Sequence, residues 1–95
     1  MKYKIGDEII FTSKEQSNKW KKECRVFLYE KVAKIIYIYK FKSFYKDSYL
    51  LEFKDPIGND YDGGVKRGKK GHCSWWEKTE FKSIDHIKFK KWIKG

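Results

Sequence analysis

The chain has 95 residues, a formal net charge of +10, 38% charged residues and 19% aromatic ones. That length allows one domain and excludes a second independent core. Four Trp, seven Tyr and seven Phe exclude a disordered chain, which would be poor in aromatics, and the sign of the charge excludes an acidic imitation of nucleic acid.

At the start of the chain, Tyr3, Ile5, Ile9 and Phe11 share one parity, which predicts a half-buried strand with a bend at Gly6-Asp7. Thr12 to Glu23 is polar and aperiodic apart from Trp20, and reads as a long surface loop. From about Arg25 to Tyr45 the chain is dense in β-branched and aromatic residues. Ala33, Ile35, Tyr37, Tyr39 and Phe41 are expected on one face of a strand, with Lys34, Lys40 and Lys42 on the other together with Ile36 and Ile38. A turn around Lys46-Asp47-Ser48 then leads into a strand at Tyr49 to Phe53.

The segment from Asp55 to Gly71 holds the only proline and five of the seven glycines. A loop that long in so small a domain is expected to be functional or mobile. Order returns at Cys73-Ser74-Trp75-Trp76, followed by one helical turn over Glu77 to Phe81 and a short last strand at Lys82 to Ile84. The tail from Asp85 to Gly95 fits a short amphipathic helix. Five short strands with long loops predict a mostly-β, small, strongly curved antiparallel barrel over residues 1–84, with a basic extension over 85–95.

Several motifs together resemble a family. Lys4-Ile5-Gly6-Asp7, the strand Leu51-Glu52-Phe53-Lys54-Asp55, the glycine-rich loop, then Gly71-His72-Cys73-Ser74-Trp75-Trp76 and an acidic turn are similar to small bacteriophage and prophage proteins of SH3-like (KOW-like) barrel type. Their pattern is a Gly-rich loop followed by Gly-His-Cys-Trp-Trp. Here Ser74 is inserted before the tryptophans, the loop after Phe11 is long, and a basic tail follows Ile84. The resemblance implies an SH3-like fold and a phage setting, with partners among nucleic acids or host proteins.

Charge is uneven along the chain. Residues 1–39 carry a net +4, 40–64 a net −1 and 65–95 a net +7. The excess falls beside the glycine loop and the tryptophan pair, and such a field attracts polyanions. Lys outnumbers Arg 21 to two, which favours general phosphate affinity over base-specific forks. The candidate binding residues are therefore Lys66, Arg67, Lys69 and Lys70 on the loop, Trp75 and Trp76 on the strand, and Lys88, Lys90, Lys91 and Lys94 in the tail. Adjacent residues of a strand face opposite ways, so one tryptophan pointing outward beside the loop cations would make a stacking platform for a single strand; the alternative, that both rings bury against the loop and the tail, suits a chain with few other core residues.

Other chemistries fit less well. Gly63 to Lys69 has the GxxxxGK spacing of a phosphate loop, but Lys70 stands where a Ser or Thr must hold magnesium, and no strand and helix flank it. Cys24, His72, Cys73 and His86 are zinc-type ligands without paired spacing, and Cys73 reads as a small core residue. Neither metal, cofactor nor enzymatic activity is expected. The chain start lacks the apolar stretch of a signal peptide and no membrane-length apolar run follows, so a cytoplasmic protein with no membrane partner is expected. The leading expectation is a binding module for nucleic acid or a nucleoprotein. The second is an inhibitor that binds a host defence protein.

Overall fold

The computed structural model describes residues 3–41 and 46–84. Five strands, β1 (Glu8–Phe11), β2 (Val32–Tyr39), β3 (Ser48–Phe53), β4 (Cys73–Trp76) and β5 (Phe81–Ser83), form one sheet in the order β4-β3-β2-β1-β5. Every neighbouring pair is antiparallel. The first four strands make a meander and the fifth returns beside the first, so the sheet curls around one core. This is the small, strongly curved antiparallel arrangement that the strand pattern predicts. The expected helical turn is a 3₁₀ turn at Lys78–Glu80 that feeds β5. The tail 85–95, including Lys88, Lys90, Lys91 and the expected amphipathic helix, lies outside the described residues, as does 42–45.

Alternation decides the inner face. Ile9 and Phe11 on β1, Ala33 and Ile35 on β2, and Leu51 and Phe53 on β3 are all buried in one cluster. Ile5 does not continue this face. It is 61% exposed, because the bend at Gly6 turns the chain before β1 begins. Aromatic rings link strands that share no hydrogen bonds: Phe11 meets Trp76 of β4 at 4.7 Å and Tyr49 of β3 meets Phe81 of β5 at 5.5 Å, both edge to face. Such pairs add roughly 0.5–1.5 kcal/mol beyond the area they bury.

Two expectations are corrected. First, Thr12 to Glu23 is not a surface loop: Lys14–Cys24 forms helix α1. Ser13 is its N-cap, with Oγ accepting from the Gln16 N–H at 3.1 Å, and Arg25 closes it at φ 63° with its N–H bonded to the Lys21 carbonyl. The helix buries little, since its interior contacts come from Ser17, Trp20 and Cys24. Trp20 packs on Trp76 at 5.7 Å, and its indole N–H donates to the Ile57 carbonyl at 2.8 Å.

Second, β2 does not keep one parity. A bulge between Ile35 and Tyr37 shifts the register, so Ile35 pairs with Leu51 but Tyr37 pairs with Leu50. Beyond the bulge Ile38 packs on the core, while Tyr37 joins the outer face. Tyr39 is 52% exposed at the end of the strand.

Trp20→Phe keeps a ring against Trp76 but leaves the Ile57 carbonyl without its donor. The expected cost is about 1 kcal/mol, read as a fall in melting temperature of roughly 4–8 °C. An unchanged melting temperature would show that the helix is not fastened through this bond.

Candidate functional site

The outer face of the sheet has its own small apolar layer. Leu50 of β3 and Cys73 of β4 are fully buried, yet neither belongs to the inner cluster. What covers them is the glycine-rich loop, lying backbone-first on the sheet. A Cβ at Gly63 would come within 2.5 Å of Leu50 Cδ2. One at Gly68 would come within 2.5 Å of Ile36 Cδ1, 2.6 Å of Cys73 Sγ and 2.8 Å of Glu52 Oε2. Only glycine permits that approach.

Hydrogen bonds then hold the loop. The N–H groups of Gly71 and Gly68 donate to the carbonyls of Tyr61 and Asp62 at 3.0 and 2.8 Å. Asp62 Oδ1 accepts from the Gly64 N–H at 3.1 Å, and Glu52 Oε2 from the Lys69 N–H at 2.9 Å. Asn59 Nδ2 donates to the Cys73 carbonyl at 2.9 Å. The loop backbone is therefore tied at both arms.

The predicted cations divide into two groups. Arg67 is turned back onto the fold, with its guanidinium 3.9 Å from the Tyr37 ring centroid and 6.0 Å from that of Trp75, and Nη1 donating to the Gly63 carbonyl at 3.4 Å. It fastens the loop. Lys66, Lys69 and Lys70 are exposed. Ion pairs among the described residues are Lys19–Glu15 and Lys46–Glu77, so these three ammonium groups are neutralised by no described carboxylate.

The tryptophans divide as alternation requires. Trp76 faces the core side against Phe11 and Trp20, with its indole N–H on Ser74 Oγ. Trp75 faces the outer side, edge to face with Tyr37 at 6.1 Å, and its indole N–H donates to Tyr61 Oη at 2.8 Å. Both tryptophans are half-buried, and Trp75 is hemmed in by Tyr37, Tyr61 and Arg67. On its far side runs a groove of about 440 Å³ that Trp75 and Trp76 share with Gln16, Ser48, Glu77 and Glu80. Burial raises the Glu80 pKa above its ordinary value, opposed by a backbone bond from Glu77 and reinforced by the Glu77 charge.

Tyr37, Tyr61 and Val65 are members of this surface that sequence reading did not select. The doublet Ile35-Ile36 interrupting an alternating strand was the available sign of the bulge that turns Tyr37 outward. Lys88, Lys90 and Lys91 lie outside the described residues.

His72 and Cys73 do not form a reactive pair. His72 is buried with Nδ1 on the Phe53 carbonyl at 2.9 Å, and Cys73 Sγ points to the Lys69 carbonyl at 3.4 Å. Burial, with the charges of Glu52 and Asp62, pushes the Cys73 thiol up to about 11. Among the described residues no three His, Cys, Asp or Glu side chains are grouped to hold a metal, and no helix is long and apolar enough to cross a membrane. The GxxxxGK stretch leads into strand β4, not a helix.

The fold and this surface define a small, barrel-like five-stranded antiparallel sheet whose outer face carries a glycine-rich, cation-bearing cover. No protein family, curated protein or solved structure matches the chain.

Because the Cys73 pKa is raised in the folded state, its contribution to stability is complete below the unfolded thiol value of about 9 and is lost as pH rises towards about 11. Melting temperature should fall across that window, and Cys73→Ala should remove the part of the fall that belongs to this thiol. An identical pH profile in the variant would show that the thiol is not held protonated by the fold.

Proposed function

We propose that the protein is a non-enzymatic binding module that engages nucleic acid through the loop cations Lys66, Lys69 and Lys70, with the Lys-rich tail, including Lys88, Lys90 and Lys91, adding to the same field. One observation carries the reading: three unpaired ammonium groups stand on a loop whose backbone is fixed against the sheet. A fixed array of cations meets regularly spaced phosphates without first losing loop entropy, and each phosphate neutralised releases a counterion. The buried, protonated thiol at Cys73 and the carbonyl-bound His72 offer no nucleophile and base, which favours binding over catalysis.

The triple variant Lys66→Gln, Lys69→Gln, Lys70→Gln removes these charges and spares Arg67, which the loop needs. Affinity for a 20-mer duplex at ~50 mM salt should fall at least about tenfold, and the slope of log K against log salt should flatten by about 2–3. If the unaltered protein binds neither DNA nor RNA at that salt, the reading is wrong. An acidic face on another protein, such as a host defence protein, is then the remaining partner, read by capture from a nuclease-treated bacterial lysate with the triple variant as control.

A further inference from the structure

Part of the sheet's outer face is left open by the glycine-rich loop. There Glu8 of β1, Lys34 of β2 and Glu52 of β3 stand side by side, Glu8 opposite Lys34 and Lys34 opposite Glu52. Opposite charges in direct cross-strand register ordinarily attract one another into pairs. Here none of the three is ion-paired among the described residues. Instead they line a cavity of about 320 Å³ together with Lys54, Lys69 and His72. The Glu52 carboxylate is turned towards the loop, where Oε2 accepts the Lys69 N–H at 2.9 Å.

His72 is the fixed group in this wall. It is 6% exposed, and its Nδ1 lies 2.9 Å from the Phe53 carbonyl oxygen. A carbonyl can only accept, so Nδ1 carries the proton and the neutral ring presents a lone pair at Nε2. Nε2 has no hydrogen-bond partner among the described residues. It is not sealed in either, because no fully buried side-chain nitrogen or oxygen of those residues lacks a partner. Nε2 therefore opens into the cavity that His72 lines. A nearly buried acceptor inside a rim of three ammonium groups calls for an anion that brings a proton.

That requirement separates the anions. Chloride and carboxylates bring no proton at neutral pH. A phosphate monoester does, since its second proton leaves at about pH 6. One proton is then shared between a phosphate oxygen and Nε2, whichever atom carried it first. A nucleic-acid backbone, made of diesters, has no such proton and would meet Glu8 and Glu52 as well as the lysines. Those two carboxylates suit hydroxyl donors, as an acidic side chain does when it holds a ribose. The volume is that of a compact ligand, at the lower end of small-molecule sites.

We propose that this cavity binds the phosphate monoester of a sugar, with the phosphate held by His72 and the surrounding lysines and the sugar hydroxyls by Glu8 and Glu52. Two sources carry that chemistry, a free sugar phosphate and the 5′-phosphorylated end of a strand. The site shares only Lys69 with the loop cations and stands without the nucleic-acid reading.

Isothermal titration calorimetry of the full chain tests this with ribose 5-phosphate, ribose and inorganic phosphate. Ribose 5-phosphate should bind with a Kd of about 1 mM or tighter, and at least about tenfold more tightly than either other probe. Absence of binding overturns the proposal, as does ribose or inorganic phosphate binding equally well. Two short oligouridines, with and without a 5′-phosphate, then separate the sources. Tighter binding of the phosphorylated strand, lost when ribose 5-phosphate is added, assigns the strand end; no such margin assigns the free sugar phosphate.

Two variants place the ligand. His72→Asn keeps a side-chain N–H for the Phe53 carbonyl and removes Nε2, so ribose 5-phosphate affinity should fall at least about tenfold while the melting temperature holds. Lys54→Gln, at an exposed position, should lower the affinity about three- to tenfold with no change in melting. Unchanged affinity in either folded variant overturns the site, and if His72→Asn does not fold, Lys54→Gln decides alone.

Discussion

The close approach of the glycine-rich loop to the outer face of the sheet is the constraint on which the rest depends. At Gly63 and Gly68 the loop backbone occupies the space where a Cβ would stand, against Leu50, Ile36 and Cys73. That approach buries Leu50 and Cys73 without help from the inner core. It keeps the Cys73 thiol protonated by withdrawing it from water. It also brings Arg67 onto Tyr37. A small barrel with one curved sheet would ordinarily leave its convex side to solvent. Here a backbone layer covers part of it, and what projects from that layer is fixed by the sheet below.

The same loop is held from the inner side. Ile57, at its start, is fully buried in the inner cluster and accepts the Trp20 indole N–H from α1. A Cβ at Gly58 would stand 2.3 Å from the Cys24 carbonyl at the end of that helix. The helix therefore acts as a strut between β1 and the loop: Trp20 contacts Trp76, Trp76 contacts Phe11, and the loop closes over the other side of β4. Inner core, helix and loop meet at β4, where Ser74 and Trp76 face one way and Cys73 and Trp75 the other.

The architecture was legible because Ile9 and Phe11 on β1, then Leu51 and Phe53 on β3, obey a period of two, although Leu50, next to Leu51, is also buried, on the other face. The helix was not legible, since its one buried position is Ser17, flanked by the half-buried Trp20 and Cys24, so a serine stands where an apolar residue marks most helices. Its sign lay in Ser13 and Gln16, three apart, the spacing of an N-terminal cap. The bulge in β2 was hidden for a related reason: Ile35 and Ile36 both suit a strand, and nothing local says which is inserted. The basic loop was found from charge. Its rigidity was not, because glycines read equally as freedom or as close packing, and only Leu50 and Ile36 opposite them decide which.

The partition of the cations follows from the difference between guanidinium and ammonium. A guanidinium is planar, weakly hydrated and stacks on rings, whereas an ammonium is a strongly hydrated point charge on a flexible stem. Of the two arginines, Arg67 is spent on Tyr37 and on the Gly63 carbonyl, and Arg25 supplies the left-handed residue that ends α1. The loop's lysines are left facing water. Arg67 stays exposed, yet its guanidinium lies on the Tyr37 ring, whereas Lys66, Lys69 and Lys70 have no such partner and leave their point charges to the solvent.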